Sequence, residues 1–286
     1  MTNQETLQAM KKIIVPIDFS KHSEYALEAA SILAKQNNAQ ILALHMLEIS
    51  DSMLISSDNE QHAKAVFFLK LAEQKFETFL QKDYVEGVDI VPIVKHFKVF
   101  SEVSEVAKEH NADLIVMGSH GSSGLSEIFV GSNTEKVVRH SDIPVLVIKN
   151  KPENMDYKKV VFASDFSEEA VKPYVNASKL LESFGSEMQL LYVNVPGERF
   201  KSTSEMENTM LNFLKMADGN LNRMNAVNYV SDVTVENGIL TFAHKTNADL
   251  IVIPTHGRTG LAHFFEGSIS EDLANHADLP VMTFKI

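Results

Sequence analysis

Two segments of this 286-residue chain combine residue types and spacings suited to holding a phosphorylated ligand. In the first, Gly118-Ser-His120-Gly121 is followed after nine residues by Gly131-Ser132-Asn133-Thr134. Glycines without a Cβ let backbone approach a sugar or a phosphate closely. A helix opening at Gly131-Ser132 offers unpaired N–H groups and a positive partial charge to phosphate oxygens. Ser132 and Thr134 add hydroxyl donors, and His120 could donate to ribose or phosphate. In the second segment Pro254-Thr-His256-Gly257 is followed by Gly267-Ser268-Ile269-Ser270, with Arg258 beside the loop. Pro254 stands where the first copy has Gly118; it has no N–H and a fixed φ. Ser20 reads as a helix N-cap, Asp18 as a ligand contact or a turn residue, and Ser132 with Glu135 fits a capping box.

The elements that must carry these residues repeat. NADLIV occurs at 111–116 and again at 247–252, and the same separation relates Gly131-Ser132 to Gly267-Ser268. Nearer each start, IVPIDFS at 14–20 matches VFASDFS at 161–167, so Asp18 corresponds to Asp165 at a longer separation. The first copy therefore holds extra residues, and the polar stretch 50–62 is the expected long loop. Two domains are expected, 1–150 and 151–286, joined by the polar, proline-containing stretch 149–157.

Within the first copy, apolar β-branched runs at 12–17, 39–47, 88–96, 112–118 and 143–148 read as strands. Helical periodicity begins at Ser20 and covers 63–82, 101–110 and 132–141. Short continuous apolar strands alternating with helices predict α/β domains, each an open, doubly wound, five-stranded parallel sheet with helices on both faces. Ligands of such sheets bind beyond the strand carboxyl ends at the switch of strand order. Asp18 and the glycine segment both lie at strand ends.

The spacing G-x2-G-x9-G-S, together with Pro16-Ile17-Asp18-Phe19-Ser20, resembles the ATP-binding branch of the universal stress protein family, and the resemblance covers nearly the whole chain twice. It implies a tandem member with an adenine nucleotide alpha hydrolase-like fold. By that resemblance Pro16, Ile17, Asp18 and Met46 border the base. Met117, Gly118, His120 and Gly121 hold ribose and phosphates, and Gly131, Ser132, Asn133 and Thr134 take the phosphate chain. Asp165, His256, Gly257, Gly267, Ser268 and Ser270 are their counterparts in the second copy, where Pro254 predicts weak or altered binding. The cofactor implied is ATP (or AMP/ADP), with a Mg²⁺ carried in by the phosphates. The two copies are expected to pair through their last strands as an internal pseudo-dimer, and two chains could pair in turn as a homodimer. Loop 50–62 could fold over the nucleotide as a lid, or be a passive insertion.

Composition narrows the alternatives. Lys and Arg number 26 against 38 Asp and Glu, a net charge of −12, which disfavours nucleic acid and anionic membrane as partners. The absence of cysteine suits a reducing compartment. With a polar N-terminus and no long apolar run, a soluble cytoplasmic protein is expected. The 11 histidines show no metal-ligand spacing. No G-x4-G-K-[ST], G-x-G-x-x-G or G-x-S-x-G motif is present. A nucleotide-responsive stress protein is therefore favoured over a slow ATPase or a structural module whose loops bind nothing.

Overall fold

The computed structural model describes residues 10–47, 59–96, 102–119, 132–152, 155–198, 200–255 and 277–286. The chain forms two compact units, Met10–Glu153 and Asn154–Ile286.

In the first unit β1 (Lys12–Pro16), β2 (Gln40–Leu47), β3 (Ile90–His96), β4 (Leu114–Gly118) and β5 (Val145–Ile148) form a sheet in the order β3-β2-β1-β4-β5. The pairs are parallel, with Ile14 of β1 aligned to Leu42 of β2 and to Ile115 of β4. The order reverses beside β1, so the crevice between the ends of β1 and β4 is the switch point. Four helices complete the unit: α1 (Lys21–Asn37), α2 (Asn59–Phe79), α3 (Glu102–Glu109) and α4 (Ser132–His140). Side chains alternate across each strand. Ile14, Leu42, Leu44, Ile115, Met117, Val145 and Val147 pack with Val103, Val106 and Ala107 of α3 and with Val137 and Val138 of α4. Helix α1 packs on β1, β4 and β5 through a face rich in alanine, with Ala26, Ala29, Ala30 and Leu33 fully buried.

The second unit repeats the plan. Its strands are β6 (Lys159–Ala163), β7 (Glu187–Asn194), β8 (Val227–Ser231), β9 (Leu250–Thr255) and β10 (Val281–Lys285), ordered β10-β9-β6-β7-β8 and again parallel. Helices α5 (Val171–Ser183), α6 (Thr203–Ala217) and α7 (Val235–Thr246) are described. Val161, Leu191, Val193, Ile251 and Ile253 pack with Ile239, Phe242 and Ala243 of α7. Aromatic side chains dominate another part of the core: Phe162 meets Tyr174 of α5 at 5.5 Å between centroids, and Tyr174 meets Phe213 of α6 at 5.2 Å.

Three expectations need correction. Residues 59–62, placed in the long loop, belong to the start of α2; the part of the stretch before Asn59 lies outside the described residues. Helix α2 ends at Phe79 rather than 82, and a 3₁₀ turn, Asp83–Val85, follows. The joining stretch is not purely polar linker. Met155 and Tyr157 are 2% and 1% exposed, and the Tyr157 hydroxyl donates to the Met155 sulfur. They belong to the second core, a role that their polar neighbours hide.

Candidate functional site

At the end of β1 the chain turns sharply into α1. The N–H of Ile17 donates to the Leu44 carbonyl at 2.7 Å, which carries strand pairing one residue beyond Pro16. Asp18 follows, and its Oδ1 accepts from the N–H of Ser20 at 3.0 Å. Phe19, between them, has φ +63°. A phenylalanine in the left-handed region is uncommon and is held there by its surroundings. Its ring packs on His45, Phe76 and Phe79 at 4.6–5.5 Å. Ser20 is the N-cap: its Oγ accepts from the N–H of Ser23 at 3.2 Å. Asp18 therefore serves the turn with one carboxylate oxygen, whatever else it binds.

The same unit recurs in the second copy. Asp165 Oδ1 accepts from the N–H of Ser167 at 3.0 Å, and Phe166 has φ +55°. Phe166 packs on Phe213 at 5.1 Å, as Phe19 packs on α2. Asp-Phe-Ser thus encodes a tight turn plus an aromatic anchor for the following helix. The repeated motif includes Phe19 and Phe166, but the sequence assigns roles to Asp18 and Ser20 alone and leaves the aromatic anchor unstated.

His45 was missed as well. It is the polar residue in the apolar run of β2, and its Nδ1–H donates to the Ile17 carbonyl at 2.6 Å. That bond fixes the tautomer, since a carbonyl only accepts. Burial holds its pKa below the usual histidine value, opposed by the bond to Ile17. His22, at the start of α1, is also lowered, first by burial and against the pull of Asp18.

Gly118 ends β4 at the other side of the switch point. A Cβ built there would lie 2.6 Å from the His22 carbonyl oxygen and 2.7 Å from its carbonyl carbon. The space a side chain would fill is occupied by the first turn of α1. The Gly118 carbonyl accepts from the Thr134 hydroxyl at 2.8 Å, with Thr134 3% exposed. The expected phosphate donor at 134 thus fastens α4 to the end of β4 in this structure. Met117 is buried in the core, Met46 packs against the same cluster, and Pro16 and Ile17 are buried. The fold accordingly brings Pro16, Ile17, Asp18, Met117, Gly118 and Thr134 to the carboxyl ends of adjacent strands, with Met46 near the end of β2 and Asn133 in the first turn of α4. His120, Gly121, Gly131, His256, Gly257, Gly267, Ser268 and Ser270 lie outside the described residues, as does the side chain of Ser132.

In the second unit Ala163, Ser164, Asp165, Leu191 and Val193 line a narrow crevice with free space of about 10 Å³, room for about one water. By the separation of Asp18 from Asp165 these positions match Pro16, Ile17, Asp18, Leu44 and Met46. Val235 and Ile239 of α7 close the far wall. The wall is apolar and the rim bears one carboxylate. Among the described residues no group of three or more His, Cys, Asp or Glu could hold a metal ion, and no helix is long and apolar enough to cross a membrane.

The sequence profile of the Universal stress protein family matches residues 10–149 and again 156–285. The chain belongs to this family. It is a tandem universal stress protein, with one family domain in each half. Universal stress protein G of Escherichia coli O157:H7 is 33% identical over 147 residues, covering 49% of this chain and 99% of that protein. Universal stress protein YxiE of Bacillus subtilis is 30% identical over 152 residues, covering 48% of this chain and 98% of that protein. The tandem architecture is matched in a universal stress protein structure from Archaeoglobus fulgidus: 24% identity, TM-score 0.66, covering 96% of this chain and 98% of that one. That likeness supports the fold alone.

Proposed function

We propose that the first copy binds an adenine nucleotide, ATP or AMP, and that occupancy changes the conformation or partner surface of a cytoplasmic stress-response or regulatory protein. The base lies against Pro16, Ile17 and Met46, with Asp18 accepting from the base amino group or a sugar hydroxyl. Gly118, His120 and Gly121 face ribose and phosphates, and the start of α4 with Gly131, Ser132 and Asn133 receives the phosphate chain. A Mg²⁺ entering with ATP would be held by phosphate oxygens and water. The observation carrying this reading is the Asp18 turn at the strand-order switch of the first copy, beside the end of β4 at Gly118 and the start of α4. Family membership supports it. The second copy, with Pro254 for the first glycine, binds weakly or differently.

Rapid turnover is not part of the proposal, because the sequence offers no P-loop lysine and no evident general base beside the site. Titration of the full chain with ATP and with AMP by calorimetry tests the reading. Asp18→Ala should weaken binding about tenfold, the loss of one charge-assisted hydrogen bond, and Asp165→Ala should leave the tight phase unchanged. Absence of saturable binding, or an equal loss in both variants, would overturn it. Phosphate release above about one turnover per second would favour an enzyme instead.

A further inference from the structure

The second unit carries a polar cluster at the opposite ends of its strands from Asp165. Arg223 sits in a 3₁₀ turn, Asn222–Ala226, just before β8. Its Nη1 donates to the Tyr174 hydroxyl at 2.9 Å and to Ser178 Oγ at 3.0 Å, and the guanidinium lies 5.6 Å from the centroid of the Tyr174 ring. Tyr174 is fully buried and donates in turn to Asp218 at 2.9 Å. The guanidinium is thereby fixed before any ligand arrives, which lowers the entropy cost of binding. Among the described residues its other amino group, Nη2, faces Glu182 at 3.6 Å, an ion pair beyond hydrogen-bond range, and the Glu182 side chain is 54% exposed.

Beside it opens a pocket of about 170 Å³ lined by Ser178, Leu181, Glu182, Ser186, Met188 and Arg223. The Ser186 hydroxyl lies under this lining, buried, and has no hydrogen-bond partner among the described residues. A buried hydroxyl without a partner is costly, and an acceptor oxygen that reached it would relieve that cost. A positioned cationic N–H and an orphan O–H both ask for an oxygen carrying negative charge, while Leu181 and Met188 ask for carbon.

The first copy lacks this set. At the separation that relates Asp18 to Asp165, Leu181, Glu182, Ser186 and Met188 correspond to Ala34, Lys35, Ala39 and Ile41. Strand register supplies the remaining match. Val227 pairs with Leu190 where Pro92 pairs with Ala43, so Arg223, four residues before Val227, corresponds to Val88.

We propose that this pocket binds a small monocarboxylate with a short aliphatic body. The carboxylate takes Nη2 of Arg223 and the Ser186 hydroxyl, and the body rests on Leu181 and Met188. Glu182 swings outward as the ligand enters, its present place beside Arg223 being taken by the ligand's own charge. A phosphate dianion fits less well, because it meets Glu182 with more charge and leaves the apolar floor against a hydrated group. An amine is repelled by Arg223.

Butyrate titrated into the full chain by NMR, with inorganic phosphate and n-butylamine as comparisons, tests this. Butyrate should bind saturably and the other two should not. Glu182→Gln should tighten binding about 2–5-fold by removing the competing carboxylate of an exposed pair. Arg223→Gln should weaken it about tenfold, and Ser186→Ala should weaken it without lowering the melting temperature. Where Arg223→Gln unfolds the second unit, the Glu182 and Ser186 variants carry the test. No saturable butyrate binding (a pocket that holds water alone), phosphate binding as tightly, or butyrate binding indifferent to both of those variants would each overturn the proposal.

Discussion

The corner where β4 meets α1 in the first copy and the corner where β9 meets α5 in the second are built by the same repeat with opposite solutions. In the first, Gly118 lets the backbone of His22 press against the strand end, and α1 is α-helical from Lys21 onward. In the second, Pro254 brings a Cβ to the matching position, and the helix starts differently. Residues Glu168–Ala170 form a 3₁₀ turn and α5 begins only at Val171. Pro173 explains the delay, because it has no N–H for the Glu169 carbonyl four residues back and its ring would crowd that carbonyl. Close approach and a glycine go together in one copy; a later helix start and two prolines go together in the other. A glycine that reads as a ligand-loop residue is thus also a packing residue, and its loss in the second copy is a rearranged corner as much as a missing ligand contact.

The largest expected effect breaks that comparison directly. Gly118→Ala places a methyl 2.6 Å from backbone atoms of His22, which cannot move without shifting α1. Overpacking of this kind should destabilise the first unit by about 1–3 kcal/mol. Pro254→Ala relieves no clash and should cost only about 0.4–1 kcal/mol, through the freedom regained by the unfolded chain. Urea unfolding followed by far-UV circular dichroism reads both, since the chain has no tryptophan. Equal costs at 118 and 254 would mean that the close approach of His22 is not what Gly118 serves.

A second contrast concerns two buried threonines. The Thr134 hydroxyl donates to the Gly118 carbonyl, whereas Thr255 Oγ1, at the end of β9, is buried without a hydrogen-bond partner among the described residues. Thr134→Val should destabilise by about 1–2 kcal/mol by leaving a buried carbonyl unpaired, with Thr134→Ser restoring most of the loss. Thr255→Val should be neutral or stabilising, since it removes an unsatisfied polar atom. A destabilised Thr255→Val would show that its hydroxyl has a partner in solution, and the midpoint of unfolding measures each case.

The fold was legible because its evidence is distributed. Each strand is a short apolar run, each helix has a periodic apolar face, and the repeat supplies every feature twice. The Ser20 cap was legible for a local reason: its partner, Ser23, is three residues away. What escaped reading depends on contacts between distant segments. Nothing near Gly118 announces that His22, 96 positions earlier, fills its missing side chain. Nothing near Thr134 announces that its hydroxyl serves Gly118. Both residue types suit a ligand as well, and type alone does not distinguish a phosphate from a neighbouring carbonyl. The Arg223 cluster escaped for the same reason, since α5 and the turn before β8 meet only in the folded unit.

The smallest effect concerns position 45 and its counterpart, Tyr192. Burial lowers the pKa of His45 while Nδ1–H is bonded to Ile17, so the folded first copy favours the neutral ring. Tyr192, pushed up to about 12 chiefly by burial, does not titrate near neutrality. A histidine depressed on folding contributes stability that is complete above its unfolded value of 6.5 and is lost as pH falls toward the lowered folded value. The first unit should therefore weaken below that pH, by less than about 1 kcal/mol because the ring is only partly shielded from solvent. His22 adds to the slope with the same sign. His45→Tyr, which copies the second repeat, should flatten the slope but leave the part due to His22. Comparing urea midpoints of wild type and variant at pH 7.5 and pH 5.5 isolates position 45. An unchanged slope in the variant would place the acid sensitivity elsewhere and leave the bond from His45 to Ile17 as a purely positional link between β2 and the Asp18 turn.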